Sequence, residues 1–300
     1  MQRRKIGIGT WAFIRGGHAA CPVPLEVVLT HVRAQGFDGA ELAGFSPHMH
    51  PQEYPTPAAR GEVRRLLEDI GLDPVSLAAD FAEVPPGLVA PTQYLEVVRA
   101  NLDICHDLGI PTLRVDTISQ PGEIADGQDR ETCFWRIVEA WQRAAETCAR
   151  EGVRVVWEFE AAFLFNKPSD VMRMLYAVDH PNFTALFDSF HAFNCGVLGA
   201  RQMGEPETLP GGIPQFAHML TGKILHVHFI DSDETLHDGD TSTHAPFGQG
   251  VLNFDEIVPA LYAAGYKDEW WPMDLCFWPG ALEATAPAKA FMDKLNAKYG

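Results

Sequence analysis

The sequence lacks any long apolar run. No stretch approaches the ~20 consecutive apolar residues that a membrane-spanning helix requires. The first five residues carry three positive charges, and no apolar run of signal-peptide length follows them. These absences exclude a membrane-spanning protein and predict that the chain has no membrane partner and no secretory leader.

Basic residues are also scarce. The 300 residues include 23 Lys and Arg against 40 Asp and Glu, which gives a net charge of −17. A charge of this sign repels a phosphate backbone, so the composition predicts no nucleic-acid partner. It is no obstacle to a small neutral sugar or polyol.

Paired cysteines are absent as well. The six cysteines are scattered along the chain without a disulfide or metal-binding spacing, and most of them have apolar neighbours. We interpret them as reduced thiols, and this predicts a cytoplasmic protein. No Gly-x-Gly-x-x-Gly motif opens a helical segment, which disfavours a doubly wound, dinucleotide-binding open sheet.

The main feature that is present is a repeated unit. An amphipathic helical segment ends at a glycine or an equivalent break, and a short apolar run rich in β-branched and aromatic residues follows at once. Seven such units begin at Gly36, Gly71, Gly109, Gly152, Pro181, Gly222 and Gly265. With the run at residues 5–9 they predict eight strands. Strictly alternating strands and helices predict an α/β protein, a (β/α)₈ TIM barrel that forms one domain over residues 1–300.

Two representative helical segments show the expected spacing of apolar residues. They cover residues 92–109 and 131–152. Two connections are longer than ordinary strand-to-helix loops, at residues 194–213 and 231–250. Loops of this length are often functional, so we expect residues 231–250 to cover the site as a lid.

Four residues with metal-binding side chains lie at the ends of four of the predicted strands. They are Glu158, Asp188, His228 and Asp274. In a closed parallel barrel these strand ends share one rim, so the four donors would converge. Such a set of oxygen and nitrogen donors suits a divalent metal ion with open coordination positions.

Neighbouring residues allow both functional and ordinary interpretations. Asp188 could instead be a helix cap with an incidental His191. Glu160 shares a strand face with Glu158 and is either a second acid/base group or a charge on the rim. His226 shares a face with His228 and is assigned to packing. Asp231 either supports a ligand or contacts substrate.

Weaker candidates also point towards the barrel interior. Arg114, Asp116 and Asp80 could orient substrate hydroxyls or form a structural ion pair, and Glu41 is interpreted as structural. Four aromatic residues could form an apolar wall for a sugar ring, although ordinary packing is the simpler interpretation of each one alone. They are Trp11, Phe13, Phe247 and Trp278.

Four segments carry a resemblance to a known family. They are Glu158, the Asp-Ser-Phe-His segment 188–191, the His-Val-His-Phe-Ile-Asp segment 226–231, and the Phe-Gly-Gln-Gly-Val-Leu-Asn-Phe segment 247–254. Together they resemble the xylose isomerase-like sugar isomerase/epimerase superfamily, which includes ketose 3-epimerases and inosose-processing enzymes. The resemblance spans nearly the whole chain and is strongest over residues 150–280.

This resemblance implies a TIM barrel that binds one divalent cation, commonly Mn²⁺, Mg²⁺ or Co²⁺. It implies Glu158, Asp188, His228 and Asp274 as the metal ligands, with Glu158 and Asp274 as paired acid/base groups and His191 in contact with the substrate. The sequence departs from the family at Asp274, where the family usually has Glu. The aspartate carboxylate lies about one C–C bond (~1.5 Å) nearer the backbone, which weakens the prediction of proton abstraction more than that of metal binding.

The leading hypothesis is a metal-dependent isomerase or epimerase of a ketose or related polyol, with Glu158 and either Asp274 or Glu160 as acid/base groups. Three alternatives remain open. One is a lyase at the same site, such as a dehydratase of an inosose-like ring, which shares the first proton abstraction. The others are a DNA-repair nuclease, which the charge disfavours, and a non-catalytic sugar-binding subunit. The sequence does not determine the oligomeric state, and a homo-oligomer is one of the options.

Overall fold

A computed structural model describes residues 3–120, 124, 129–161, 163–235 and 244–300 of the chain. Its centre is one sheet of eight parallel strands in the order β7-β6-β5-β4-β3-β2-β1-β8. The strands are β1 (Lys5–Gly9), β2 (Gly39–Gly44), β3 (Asp73–Ala79), β4 (Thr112–Val115), β5 (Arg154–Glu158), β6 (Phe183–Asp188), β7 (Ile224–His228) and β8 (Trp270–Met273).

Helices alternate with these strands. In the described ranges there are nine α-helices, and short 3₁₀ turns follow β1 at Thr10–Phe13 and Gly16–His18. The α-helices are α1 (Leu25–Ala34), α2 (Pro57–Ile70), α3 (Pro91–Leu108), α4 (Arg130–Arg150), α5 (Pro168–Val178), α6 (Ser189–Gly196), α7 (Gly212–Met219), α8 (Phe254–Ala263) and α9 (Ala281–Tyr299).

Local sequence explains where these helices begin and end. Thr56 and Asp129 cap α2 and α4 by accepting hydrogen bonds from the backbone N–H groups of Ala59 and Thr132. Gly71 and Gly109 end α2 and α3 in the left-handed region, with φ of 68° and 72°. Glycine adopts this conformation without strain, so each helix stops and the chain turns directly into the next strand.

The barrel closes between its last and first strands. β1 pairs with β8 in parallel, and the two edges meet just beyond β7, where Phe229 N–H donates to the Pro272 carbonyl at 2.9 Å. This closure confirms the predicted (β/α)₈ barrel and excludes the open doubly wound sheet. The assignment of all of residues 1–300 to one domain stays a prediction.

The barrel brings the carboxyl ends of its strands to one rim. Asp188 and His228 are register partners on β6 and β7, and Glu158 ends the neighbouring strand β5. Around the outside, helix faces pack on the strands, as where Trp141 of α4 lies 5.1 Å, ring centre to ring centre, from Trp157 of β5. In the described part of the chain, no helix combines the length and apolarity that are needed to cross a bilayer.

Candidate active site

The four predicted metal ligands converge at the rim. Glu158, Asp188, His228 and Asp274 are all buried, and each offers one donor atom within 4.8 Å of the donors of the others. The closest contacts join Nδ1 of His228 to Oε1 of Glu158 at 2.8 Å and to Oδ2 of Asp188 at 3.8 Å. Three carboxylates and one imidazole therefore surround one point.

Asp188 serves two elements at once. Its Oδ1 accepts a hydrogen bond from the backbone N–H of His191 at 2.8 Å and so caps α6. Its Oδ2 is buried without a hydrogen-bond partner and faces the cluster. Both sequence interpretations of this residue, helix cap and cluster member, therefore describe part of its geometry.

Charge inside the cluster is only partly compensated by protein groups. Burial and then the charge of Glu158 raise the pKa of Asp188 well above its usual range. Burial would also raise the pKa of Glu158, but the Arg114 guanidinium, 2.5 Å from its Oε2, and His228 hold it well below that range. An additional positive charge at the centre would relieve the repulsion that Asp188 experiences.

His228 connects the cluster to a second polar layer beneath it. Its Nε2 lies 2.8 Å from Oε2 of Glu41. Oε1 of Glu41 lies 2.6 Å from His226 Nε2 and accepts a hydrogen bond from Ser76 at the same distance. Burial opposes the charge on the His228 ring, but Glu41 and Glu158 raise its pKa well above the ordinary value. Glu41 thus orients the His228 ring from below.

Asp274 follows β8, and hydrogen bonds to one of its two carboxylate oxygens fix its side chain. Its Oδ1 accepts hydrogen bonds from Nε1 of Trp11 at 2.8 Å and from the backbone N–H of Cys276 at 2.7 Å. Its Oδ2 lies 3.9 Å from Nε2 of His244. The shorter aspartate side chain is therefore fixed in orientation, with one oxygen left to face the cluster and the cavity.

A cavity of about 160 Å³ opens above the cluster. Its lining includes the predicted residues Trp11, Arg114, Glu158, Glu160, His191 and Asp274, together with Asp80 and Asp116. The volume lies below the ~300–1,000 Å³ of drug-sized sites, so the cavity suits a small ligand and not a polymer.

The apolar wall differs from the expected one. Trp11 lines the cavity, but Phe13, Phe247 and Trp278 do not. Phe247 stacks on Phe291 instead, with ring centres 4.6 Å apart. The wall comes from residues of the rim loops that the sequence did not single out, namely Phe45, Ile118, Phe163 and Phe277.

Two candidate proton-handling groups lie side by side in the cavity. Oε2 of Glu160 is 3.7 Å from Nε2 of His191. Burial and then the charge of Glu158 raise the pKa of Glu160 well above its usual range, whereas burial lowers that of His191 well below its own. Both side chains are therefore inclined to be neutral, Glu160 as an acid and His191 as a free base. On the other flank, burial, opposed by Arg114, raises the pKa of Asp116 to about 7.

Sequence reasoning missed His244. It is buried, lines the cavity, and its ring centre lies 5.2 Å from that of His191. It comes from the connection that follows β7, where no strand or helix periodicity marks a residue as inward-facing. The sequence feature that could have indicated a role for His244 is its position in the long connection 231–250 on the rim.

Asp231 has a different position from the other predicted site residues. Its carboxylate accepts hydrogen bonds from the backbone N–H groups of Ser232, Gly248, Gly250 and Leu252 at 2.9–3.1 Å. It is not among the residues that line the cavity. Asp231 therefore organises the loop. The centre of the predicted lid, residues 236–243, lies outside the described residues, so its covering role stays a prediction.

The donor set fits a divalent metal ion. Its members are three buried carboxylates and one imidazole, and the unpartnered Oδ2 of Asp188 points at their common centre. Such oxygen-rich ligation differs from the sulfur- and imidazole-rich sets of structural zinc sites. Glu158, Asp188, His228 and Asp274 are the residues that would hold the ion.

Comparison with solved structures finds the same fold in several proteins. The IolI protein with a bound zinc atom superposes with a TM-score of 0.75 at 17% identity, over 99% of both chains. A D-psicose 3-epimerase studied with D-fructose gives 0.73 at 17% identity, over 97% of this chain and 99% of that one. The probable 3-DHS dehydratase AsbF from Bacillus anthracis gives 0.70 at 19%, over 96% and 98%.

The chain also matches a fusion of a xylose isomerase-like TIM barrel with a 4-hydroxyphenylpyruvate dioxygenase, and it spans 43% of that protein's length. Comparison with curated protein sequences finds no significant match. The model of one protein family, described as the xylose isomerase-like TIM barrel, matches residues 29–294. This match covers most of the chain and agrees with the resemblance seen in the sequence. The chain belongs to the xylose isomerase-like TIM barrel family.

Proposed function

We propose that the protein is a divalent-metal-dependent isomerase or epimerase that acts on a ketose or a related polyol. The observation that carries the proposal is the four-donor cluster at the floor of a small cavity whose lining includes Glu160 and His191. The structural neighbours that are ketose 3-epimerases agree with this reaction class. The physiological ion is proposed as Mn²⁺, with Mg²⁺ or Co²⁺ as the other candidates.

A bound ion would polarise the substrate carbonyl and balance the negative charge of an enediolate. The protein's own groups would then move the proton. Asp274 is the proposed base that works opposite Glu158, because Trp11 and the Cys276 N–H fix its orientation and its second oxygen faces the cluster and the cavity. Glu160 is the other candidate for the second acid/base function. His191 would contact a substrate hydroxyl from its place in the lining.

A lyase at the same site is the second candidate. The observation that favours it is the position of Glu160 in the cavity lining, 3.7 Å from His191, where burial raises its pKa, because a protonated carboxylic acid can give its proton to a leaving hydroxyl. A dehydratase of an inosose-like ring would use this group after the same first proton abstraction. The probable dehydratase among the structural neighbours shares the fold with this chain.

Deuterium exchange tests both candidates in one experiment. The metal-free protein, reloaded separately with Mn²⁺, Mg²⁺, Co²⁺ or Zn²⁺, would be incubated in D₂O with ketopentoses, ketohexoses and inososes. We expect NMR to show metal-dependent exchange of a proton next to the carbonyl. A new stereoisomer identifies an epimerase, a new aldose identifies an isomerase, and an enone absorbance with loss of water identifies a lyase.

Matched variants identify the site that is responsible. Asp188→Asn should abolish metal binding and exchange, whereas Asp73→Asn, at the opposite end of the barrel in β3 and 57% exposed, should change neither. Normal metal binding without exchange for any substrate would contradict an enzymatic role and leave a sugar-binding subunit. Exchange that persists without metal would contradict the proposed mechanism.

A further inference from the structure

The imidazole of His244 has no role in the reaction proposed above, yet it lies in the cavity wall. His244 is 2% exposed, its ring centre lies 5.2 Å from that of His191, and its Nε2 lies 3.9 Å from Oδ2 of Asp274. Its Nε2 is buried without a hydrogen-bond partner. A buried polar atom of this kind destabilises the protein unless something bonds to it. A bound ligand is the natural partner, because the atom belongs to a residue of the cavity lining.

The other ring nitrogen determines what kind of partner this is. Nδ1 of His244 lies 3.2 Å from the carbonyl oxygen of Cys276. A carbonyl oxygen only accepts hydrogen bonds, so Nδ1 carries the proton and Nε2 of the neutral ring is an acceptor. Oδ2 of Asp274, which lies 3.9 Å from Nε2, is also an acceptor when ionised. This corner of the cavity therefore faces the ligand with two acceptors.

Asp231 holds the segment that carries His244. Its backbone N–H and carbonyl pair with those of Ala245 at 3.2 Å in both directions, directly beside His244. Its carboxylate fixes the following turn through the backbone N–H groups of Gly248, Gly250 and Leu252. Gly250 is required here, because a Cβ would lie 2.3 Å from Oδ1 of Asp231. The strand end at β7 thus sets the position of the imidazole.

We propose that His244 is a substrate-recognition residue that accepts a hydrogen bond from a ligand hydroxyl through Nε2, and that Asp231 is the residue that positions it. The group bound at this corner is a hydroxyl and not a carboxylate or phosphate, because both protein atoms that face it are acceptors. The identity of the ligand as a polyol rests on the proposed function, whereas the position and tautomer of the ring do not.

The tautomer is tested on the metal-free protein without a ligand. Nitrogen-15 NMR of histidine-labelled protein, assigned with His244→Asn, should show the proton of the neutral His244 ring on Nδ1. A neutral ring that carries its proton on Nε2 would overturn the proposal whatever the protein's reaction proves to be. The result of this NMR experiment therefore does not depend on whether the proposed function is correct.

Sugar binding is tested by calorimetry on Mn²⁺-saturated protein with D-fructose, D-allulose and L-ribulose. For the sugar that binds, one monodeoxy analogue should bind at least about tenfold more weakly to the native protein, as expected for a lost hydrogen bond to a buried acceptor. His244→Asn keeps a donor for the Cys276 carbonyl and lacks Nε2, so it should bind the parent sugar and that analogue equally. His244→Gln, whose amide oxygen can reach the Nε2 position, should recover part of the discrimination.

A double-mutant cycle tests the link to Asp231. Asp231→Asn and Gly250→Ala should each weaken sugar binding at unchanged metal content, and neither should weaken it further in the His244→Asn background. Full additivity would overturn the positioning role of Asp231. Normal discrimination by His244→Asn would overturn the recognition role while leaving metal-dependent exchange, and so the proposed function, intact. Failure of every sugar to bind would overturn the ligand class together with the proposed function.

Discussion

Two carboxylates of this site use their two oxygens for different contacts. Asp188 caps α6 with one oxygen and faces the cluster with the other, and Asp274 is held by Trp11 at one oxygen while the second lies 3.9 Å from Nε2 of His244. The sequence could identify these residues because a carboxylate at the end of an apolar strand has few ordinary explanations. It could not identify His244, because a loop residue has no periodicity from which an inward direction can be inferred.

The two candidates for the second acid/base group can be separated at Glu160. Glu160→Gln keeps the shape and removes the carboxylate, and the residue is outside the four-donor cluster. If Asp274 is the base, exchange of the substrate's α-proton with solvent should stay near the native rate at normal metal content. A fall of roughly 10²-fold or more, the scale of a positioned acid/base group, would assign the function to Glu160.

His191 should affect turnover and not metal binding. It lies in the cavity lining, 3.7 Å from Glu160, its backbone N–H donates to the proposed ligand Asp188, and it is not a member of the four-donor cluster. His191→Ala should lower kcat/KM by about tenfold or more, the loss expected for a buried hydrogen bond to substrate. Metal analysis of the same variant is the control, and loss of the ion would show that His191 is itself a ligand.

Metal binding should release protons. Glu41 and Glu158 raise the pKa of His228 above its ordinary value, against the opposing effect of burial, so we expect the metal-free ring to carry a proton that a metal ion must displace. A metal ligand must be deprotonated, so the apparent affinity should rise with pH until the raised pKa is passed. Calorimetry of Mn²⁺ binding at pH 7 in two buffers of different ionisation enthalpy should show at least one proton released. Identical heats in the two buffers would contradict the protonated ring.

At the scale of elements, strand positions were the most predictable feature. The units that begin at Pro181 and Gly222 lead directly into β6 and β7, and Gly71 and Gly109 end their helices in the left-handed region as expected. Helix α6 (Ser189–Gly196) was less apparent, since it is a short additional helix between β6 and α7. Asp188 caps the first turn of this helix, which makes this one residue part of both the fold and the site.

Two substitutions separate the roles of Asp188. Both Asp188→Asn and Asp188→Ala should abolish metal binding, because each removes the charged ligand. Asparagine still caps a helix and alanine does not, so the metal-free Asn variant should be more stable than the Ala variant by about 1 kcal/mol. Urea unfolding of the two metal-free variants measures this difference, and equal free energies of unfolding would show that the cap contributes nothing.

At the scale of the whole molecule, closure of the barrel creates the site. The four donors come from the ends of four consecutive strands, and more than a hundred residues of sequence separate the first donor, Glu158, from the last, Asp274. They meet because β8 pairs with β1 and the sheet closes. Repeated glycine-ended helix–strand units were enough to predict this closure. They could not fix the shape of the cavity, since its apolar wall is built from rim loops whose course depends on tertiary packing.

The most direct test of the metal centre is a crystal structure of Mn²⁺-soaked protein with anomalous data collected at the manganese edge. The account predicts one strong peak, about 2.0–2.3 Å from ligand atoms of Glu158, Asp188, His228 and Asp274. The same peak should be absent from crystals of Asp188→Asn and present in those of Asp73→Asn. A native crystal with no peak at this point, or with a peak that any one of the four side chains does not approach, would contradict the account.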